Sequence, residues 1–146
     1  MVALLAALLV VPALAPPAAA LTAAEKYANS AFRATNVQRA EHDLTQLDRH
    51  KCLRRMAVVH AKRMAEAEEI SHQDLTKVLG RCNMQSVGEN VAVGYKTGKA
   101  TVNQGWMNSP LHKANIVNPA WRKMGIGARK GEDGRWYVCQ LFGKKG

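Results

Sequence analysis

Acidic residues are scarce in this chain. Eleven Asp and Glu stand against twenty-one Lys and Arg, which sets the formal net charge at +10. Aromatic residues are also few, at 5%. They do not interleave with the cations as a single-strand nucleic-acid binder requires. Nucleic acid is therefore not an expected partner. The cations are scattered along the chain, among them Lys51, Arg54, Arg63, Arg122, Arg129 and Lys145. They read as a solvated basic surface or as one attracted to anionic cell-wall polymer or lipid headgroups.

Charge is missing from the first twenty residues, which hold no Lys, Arg, Asp or Glu. The segment is apolar and closes on Ala18-Ala19-Ala20, the small-residue pattern of a signal-cleavage site. Pro12, Pro16 and Pro17 each remove a backbone donor and argue against a continuous spanning helix. The usual basic start is absent too, since the first lysine is Lys26. Residues 1–20 are expected to be a cleaved signal peptide, with an uncleaved anchor as the alternative. No internal repeat or long linker follows. Residues 21–146 are expected to form one domain, large enough to bury roughly two-thirds of its unfolded surface.

Cysteine is limited to Cys52, Cys82 and Cys139. An exported chain meets an oxidising compartment, and the expected pair is Cys52 with Cys82. Closing that loop of about thirty residues stabilises by roughly 3–4 kcal/mol in the chain-entropy model. Cys139 sits in an apolar strand segment, where a lone thiol behaves as a small hydrophobe.

The local patterns define elements. Thr22-Ala23-Ala24-Glu25 resembles a capping box and opens a helix to about Ala40, with Tyr27, Ala31, Ala34, Val37 and Gln38 on one stripe. A second helix starts at Asp48 or Arg49 and ends near Glu69. Its buried stripe is Leu53, Met56, Ala57, His60, Ala61 and Met64. His60 on that stripe is expected to be a core histidine bonded to backbone; His42 and His50 are assigned to the surface. Gln73 to Ser86 reads as a short helix stopped at Gly80 and followed by loop. Glu89 to Val93 reads as a strand and Thr101 to Asn108 as a helix. Pro110 suits the first turn of another. Met124–Arg129 and Arg135–Phe142 flank Gly131-Glu132-Asp133-Gly134 and predict a β-hairpin. Trp106 and Trp136 are expected in the core, and Trp121, beside Arg122 and Lys123, on the surface. The fold class is mixed α/β.

Three motifs carry the chemistry: Ile70-Ser71-His72-Gln73, Gly88-Glu89-Asn90-Val91-Ala92, and the run from Trp106 to Asn115 that contains Ser109-Pro110-Leu111-His112. Each presents one group able to bind a metal or move a proton: His72, Glu89 and His112. They lie too far apart to share one helix face. In this order, with the Met-Gly-Ile-Gly strand and the Tyr-Val-Cys-Gln-Leu-Phe-Gly ending, the motifs resemble a bacterial member of the CAP superfamily, the SCP domain. The resemblance covers roughly residues 36–143. It implies a three-layer α-β-α sandwich with a small antiparallel sheet, secretion, and a cavity lined by His72, Glu89, His112 and Asn115.

Eukaryotic members of that family place a second glutamate three residues after the tryptophan; Ser109 stands there in this chain. The implied site is therefore two histidines and one carboxylate. Such a set can hold zinc or another divalent cation with a position left open, but it lacks a spare general base. Ser109 and His112, three apart, also invite a nucleophile reading without an orienting acid, and serine before proline is an ordinary helix N-cap. The expected function is a secreted binding protein. Its partner would be a lipid, an anionic cell-surface polymer or an extracellular protein. The alternative is a metal-dependent hydrolase using His72, Glu89 and His112, with Glu89, Ser109 and His112 as the alternative catalytic residues.

Overall fold

The computed structural model describes residues 20–146. All but the last residue of the expected signal segment falls outside them. Helix α1 spans Ala23–Glu41, and its start is the capping box read from the sequence. Thr22 Oγ1 accepts from the Glu25 amide at 3.2 Å, and Glu25 Oε2 accepts from the Thr22 amide at 3.0 Å. The buried face holds Tyr27, Ala31, Phe32, Ala34, Thr35, Asn36 and Arg39. Val37, expected on that face, is 53% exposed, while the guanidinium of Arg39 is wholly buried.

The sheet order is β1-β3-β4-β2, with β1 Asp48–Arg49, β2 Ser86–Val93, β3 Lys123–Lys130 and β4 Trp136–Lys144. The three long strands are antiparallel; β1 adds a short parallel pairing to the outer edge of β3. The hairpin stands where the glycine-rich turn predicted it, and Gly134 takes the positive φ of 77° that the turn requires.

Alternation along the strands divides the core in two. Met124, Ile126, Ala128, Val138 and Phe142 face α1, joined by Trp106 and Ile116. Tyr137, Cys139, Leu141 and Val91 face the other way, onto helix α2, Lys51–Ala67, and helix α3, Leu75–Cys82. Helix α2 approaches β3 closely because Gly125 and Gly127 point at it. A Cβ on Gly125 would lie 2.1 Å from the Arg54 amide nitrogen, and one on Gly127 would lie 2.3 Å from that of Val58. The Met-Gly-Ile-Gly pattern thus has a steric cause: large residues toward α1, none toward α2. The layers form the α-β-α sandwich that the motifs implied.

A disulfide joins Cys52 to Cys82 with Cα atoms 5.5 Å apart, pinning the start of α2 to the end of α3. Cys139 is a free, buried thiol.

Several local expectations differ from the structure. Gly80 lies inside α3, which ends at Asn83 in the left-handed conformation, φ 50°. His50 is not a free surface residue. It caps α2, its Nδ1 accepting from the Leu53 amide at 3.4 Å, because Asp48–Arg49 is drawn into the sheet and the helix starts later. Trp121 is 6% exposed, stacked on Phe142 with ring centroids 6.0 Å apart. Its slot exists because Gly88 has no side chain: a Cβ there would sit 2.9 Å from the Trp121 ring. The helical run after Tyr95 changes winding along its length. One turn at Gly98–Ala100 (α4) gives way to π-helical Thr101–Gly105 and then a 3-10 turn at Trp106–Asn108. Trp106 is fixed there by its indole N–H donating to the Val91 carbonyl at 3.0 Å. Helix α5, Pro110–Ile116, follows with proline in its first turn.

Candidate functional site

Strand β2 is the sheet edge opposite β1, and consecutive residues on it reach opposite faces. Glu89 points to the α2–α3 side and Asn90 to the α5 side. One dipeptide therefore organises both halves of the site.

On the first side, Glu89 is 5% exposed and its carboxylate is fully engaged. Oε1 accepts from His72 Nδ1 at 2.7 Å and from the Gln73 amide at 3.2 Å. Oε2 accepts from Gln73 Nε2 at 2.6 Å and from the Cys139 thiol at 3.4 Å. Four donors supply the hydrogen bonds that a buried carboxylate needs. Burial, and then the adjacent Glu89 charge, push the Cys139 thiol well above the ordinary cysteine range, so it serves as a donor. His72 itself is largely exposed, its side chain 64% accessible. Because Glu89 accepts at Nδ1, that nitrogen carries a proton, and in the matching tautomer the lone pair lies on Nε2. The segment bearing His72 is held from below by His60, whose Nε2 bonds the Ser71 carbonyl at 2.7 Å. His60 is thus the backbone-bonded core histidine expected.

On the other side, Asn90 Nδ2 donates to the His112 carbonyl at 3.1 Å and to Gln140 Oε1 at 3.1 Å. Asn115 Nδ2 donates to the Glu89 carbonyl at 3.0 Å and to Asn90 Oδ1 at 2.9 Å. Gln140 passes the chain on to Thr35 of α1 at 2.8 Å. Helix α5 is thereby fastened to the strand on both sides of the bend. Arg39 completes the fastening, donating to the carbonyls of Thr45, Ile116 and Asn118 at 2.8–2.9 Å.

His112 is half-buried, and its Nδ1 lies 2.8 Å from Ser109 Oγ. Ser109 occupies the N-cap position of α5, but its hydroxyl makes no capping bond and is spent on the imidazole. Burial, and then the nearby His72, hold His112 below the usual histidine value. Both causes favour the neutral ring, and Nε2 has no protein hydrogen-bond partner among the described residues.

The structure brings His72 and Glu89 into direct contact and sets His112 near His72. Among the described residues, no three His, Cys, Asp or Glu side chains gather around a common point suited to a metal ion. The donor set explains this. Both carboxylate oxygens of Glu89 are occupied, so Glu89 stands behind His72 and orients it. What remains for a cation is a pair of imidazole nitrogens, fewer than the three or four protein ligands of an ordinary zinc site. Sequence reasoning missed the parts of Gln73 and Cys139. Gln73 carried a signal only in adjoining His72. Cys139 becomes visible once the register pairs Leu141 with Glu89, which puts Cys139 diagonally across on the same face.

The comparisons agree with this architecture. The model of the cysteine-rich secretory protein family, CAP, matches residues 32–142. The uncharacterized protein YkwD of Bacillus subtilis is 30% identical, over 81% of this chain and 48% of its own length. The uncharacterized membrane protein YlbC of the same organism is 31% identical, over 76% and 32%. The chain thus spans about half and about a third of these relatives. An extracellular SCP-domain protein from Bacillus anthracis superposes with a TM-score of 0.74 and 28% identity, over 88% of this chain and 45% of that one. Motif order, fold and family match converge: the chain belongs to the cysteine-rich secretory protein, or CAP, family.

Proposed function

We propose that this is an exported binding domain whose contact site is the surface at His72 and His112, with zinc or a similar divalent cation as the atom that would join the two imidazoles. The observation that carries the reading is the anchoring of both Nδ1 atoms, one on Glu89 and one on Ser109. Each anchor fixes a ring and leaves its Nε2 for a ligand. When His112 Nδ1 donates to Ser109 Oγ, the His112 lone pair also lies on Nε2. A cation bound by two protein nitrogens would polarise and hold a ligand group in its remaining positions.

Export is supported by the Cys52–Cys82 disulfide, which persists in oxidising compartments, and by the extracellular relative. No helix among the described residues is long and apolar enough to cross a membrane. Whether the domain is released or tethered, as in the relative named a membrane protein, it would work outside the cytoplasm.

Calorimetric titration of residues 21–146 with zinc tests the metal. One-to-one binding that disappears in His72→Ala/His112→Ala supports it. Identical heats from both proteins would remove the metal from the reading.

The Ser109–His112 contact favours a second reading, a hydrolase. The geometry works against it, because the buried carboxylate orients His72 rather than His112, and the serine's partner lacks the third group that sets up a nucleophile. Ester turnover abolished by Ser109→Ala would reverse that judgement.

A further inference from the structure

A groove of about 620 Å³ runs between α2 and α3, and the segment carrying His72 forms part of its lining. Its walls are two rows of cations. Arg55 and Arg63 stand eight residues apart on α2, with Val59 midway between them, so they share one face over about 12 Å. Lys77 and Arg81 are one turn apart on α3. The Cys52–Cys82 disulfide ties the two helices at one end, which fixes the spacing of the rows. His72 lies at the other end.

Little within the groove neutralises these charges. Asp74 is the one acid in the lining. It lies 3.6 Å from Lys77 and also caps α3 by accepting from the Thr76 amide. Arg63 and Arg81 have no carboxylate partner among the described residues, and Arg55 reaches only Cys52 Sγ, at 4.0 Å. The floor includes His60, 4% exposed, whose Nδ1 has no hydrogen-bond partner. With Nε2–H donating to the Ser71 carbonyl, that Nδ1 is a buried acceptor in want of a donor.

We infer that this groove binds an extended polyol-phosphate polymer, its phosphates on the two cation rows and a hydroxyl toward His60. The length of the α2 row argues for a polymer, since its two arginines spring from the helix about 12 Å apart along the axis, a span suited to successive phosphates rather than one small anion. The lining has no Phe, Tyr or Trp ring for bases to stack on, which argues against single-stranded nucleic acid. The buried acceptor argues for hydroxyls and against inorganic polyphosphate. The inference does not rest on the metal, because none of the four cationic side chains is a metal ligand.

The test titrates the folded chain with poly(glycerol phosphate), glycerol 3-phosphate, inorganic polyphosphate and anionic phospholipid vesicles, all with chelator present. The variants are Arg63→Glu/Arg81→Glu and, as a control of equal charge change elsewhere, Lys144→Glu/Lys145→Glu. The expected result is saturable, salt-sensitive polymer binding that falls about tenfold or more in the groove variant and stays near wild type in the control. Zinc titration of the groove variant should match wild type, which separates failure here from failure of the metal reading. Equal losses in both variants would reduce the attraction to bulk charge and overturn the assignment. So would monomer binding as tight as polymer, preference for polyphosphate, or binding to vesicles alone.

Discussion

On one face of the sheet, α2 lies with its backbone against Gly125 and Gly127 and its apolar stripe on Tyr137, Cys139 and Leu141. On the other face, α1 packs on an apolar cluster of its own, while α5 and the loops beside α1 are tied down by buried polar side chains: Asn36, Arg39, Asn90, Gln140 and Thr35. The contrast follows from backbone accounting. Helix α2 has seventeen residues and satisfies most of its own amides and carbonyls, so apolar contact suffices. The α5 side is built from short helices and bends whose carbonyls need outside partners. Side-chain amides and one guanidinium supply them. The site sits at the β2 edge, where the two ways of holding a helix meet.

Arg39→Met should break the polar face outright. Three carbonyls lose their donor at once, and a buried charge-assisted bond contributes about 1.5–3 kcal/mol. A loss of about 4 kcal/mol in chemical denaturation is the expected outcome, with α5 and His112 displaced before the α2 side melts. A change below about 1 kcal/mol would mean that water replaces the guanidinium, and that the polar face is not a distinct mode of support.

Gly127→Ala tests the packed face. The added methyl must push the α2 backbone away at Val58, and overpacking of this kind costs about 1–3 kcal/mol. Thermal denaturation should register it, while zinc binding stays intact because no site residue hangs on that contact. A neutral result would show that α2 slides freely on the sheet, and the contrast between the faces would weaken.

These two residues also mark what the sequence could and could not disclose. The capping box, the α2 stripe and the hairpin were legible because each is written within a few neighbours. Arg39 was not. It lies on the buried face of α1, yet its partners Ile116 and Asn118 are 77 and 79 residues away, and a lone arginine on a helix reads as solvated. Trp121 misled for a related reason: its basic neighbours suggest surface, while the slot beside Gly88 is formed by a distant strand. Gly80 looked like a helix stop, but the stop belongs to Asn83 in its left-handed turn. Within the site, His72, Glu89 and His112 came from motif order. That the Glu89 carboxylate is spent on His72, Gln73 and Cys139 depends on contacts which only the strand register assembles.

Glu89→Gln sharpens the comparison at the point where the faces join. The amide is isosteric, yet it cannot fix His72 as the carboxylate does, and loss of such an orienting partner costs about 10–100-fold in metal affinity. Calorimetry with zinc should show a drop of about tenfold, roughly 1.4 kcal/mol. Retained affinity would mean that Glu89 is a strut for the strand and does not tune the imidazole.

The smallest effect is a pH dependence to which the two faces contribute through different histidines. His50 caps α2; burial, then Lys145 and Lys123, hold it below the usual value. His112 on α5 is held down by burial and then by His72. In both cases the folded state resists a proton that the unfolded chain accepts. The unfolded state therefore binds more protons on acidification, and stability must rise with pH. The contribution is fully present above the unfolded histidine value of about 6.5 and is lost as pH falls through the lower folded values. Melting temperature should be flat above neutrality and decline toward pH 5. His50→Asn keeps a capping side chain and removes the titrating group, so it should flatten part of that decline. His112→Asn should flatten the rest and abolish zinc stabilisation with it. A melting temperature that climbs on acidification would contradict the sign. A decline untouched by His50→Asn would assign the whole dependence to the α5 face, making the packed face indifferent to pH as well as to polar anchoring.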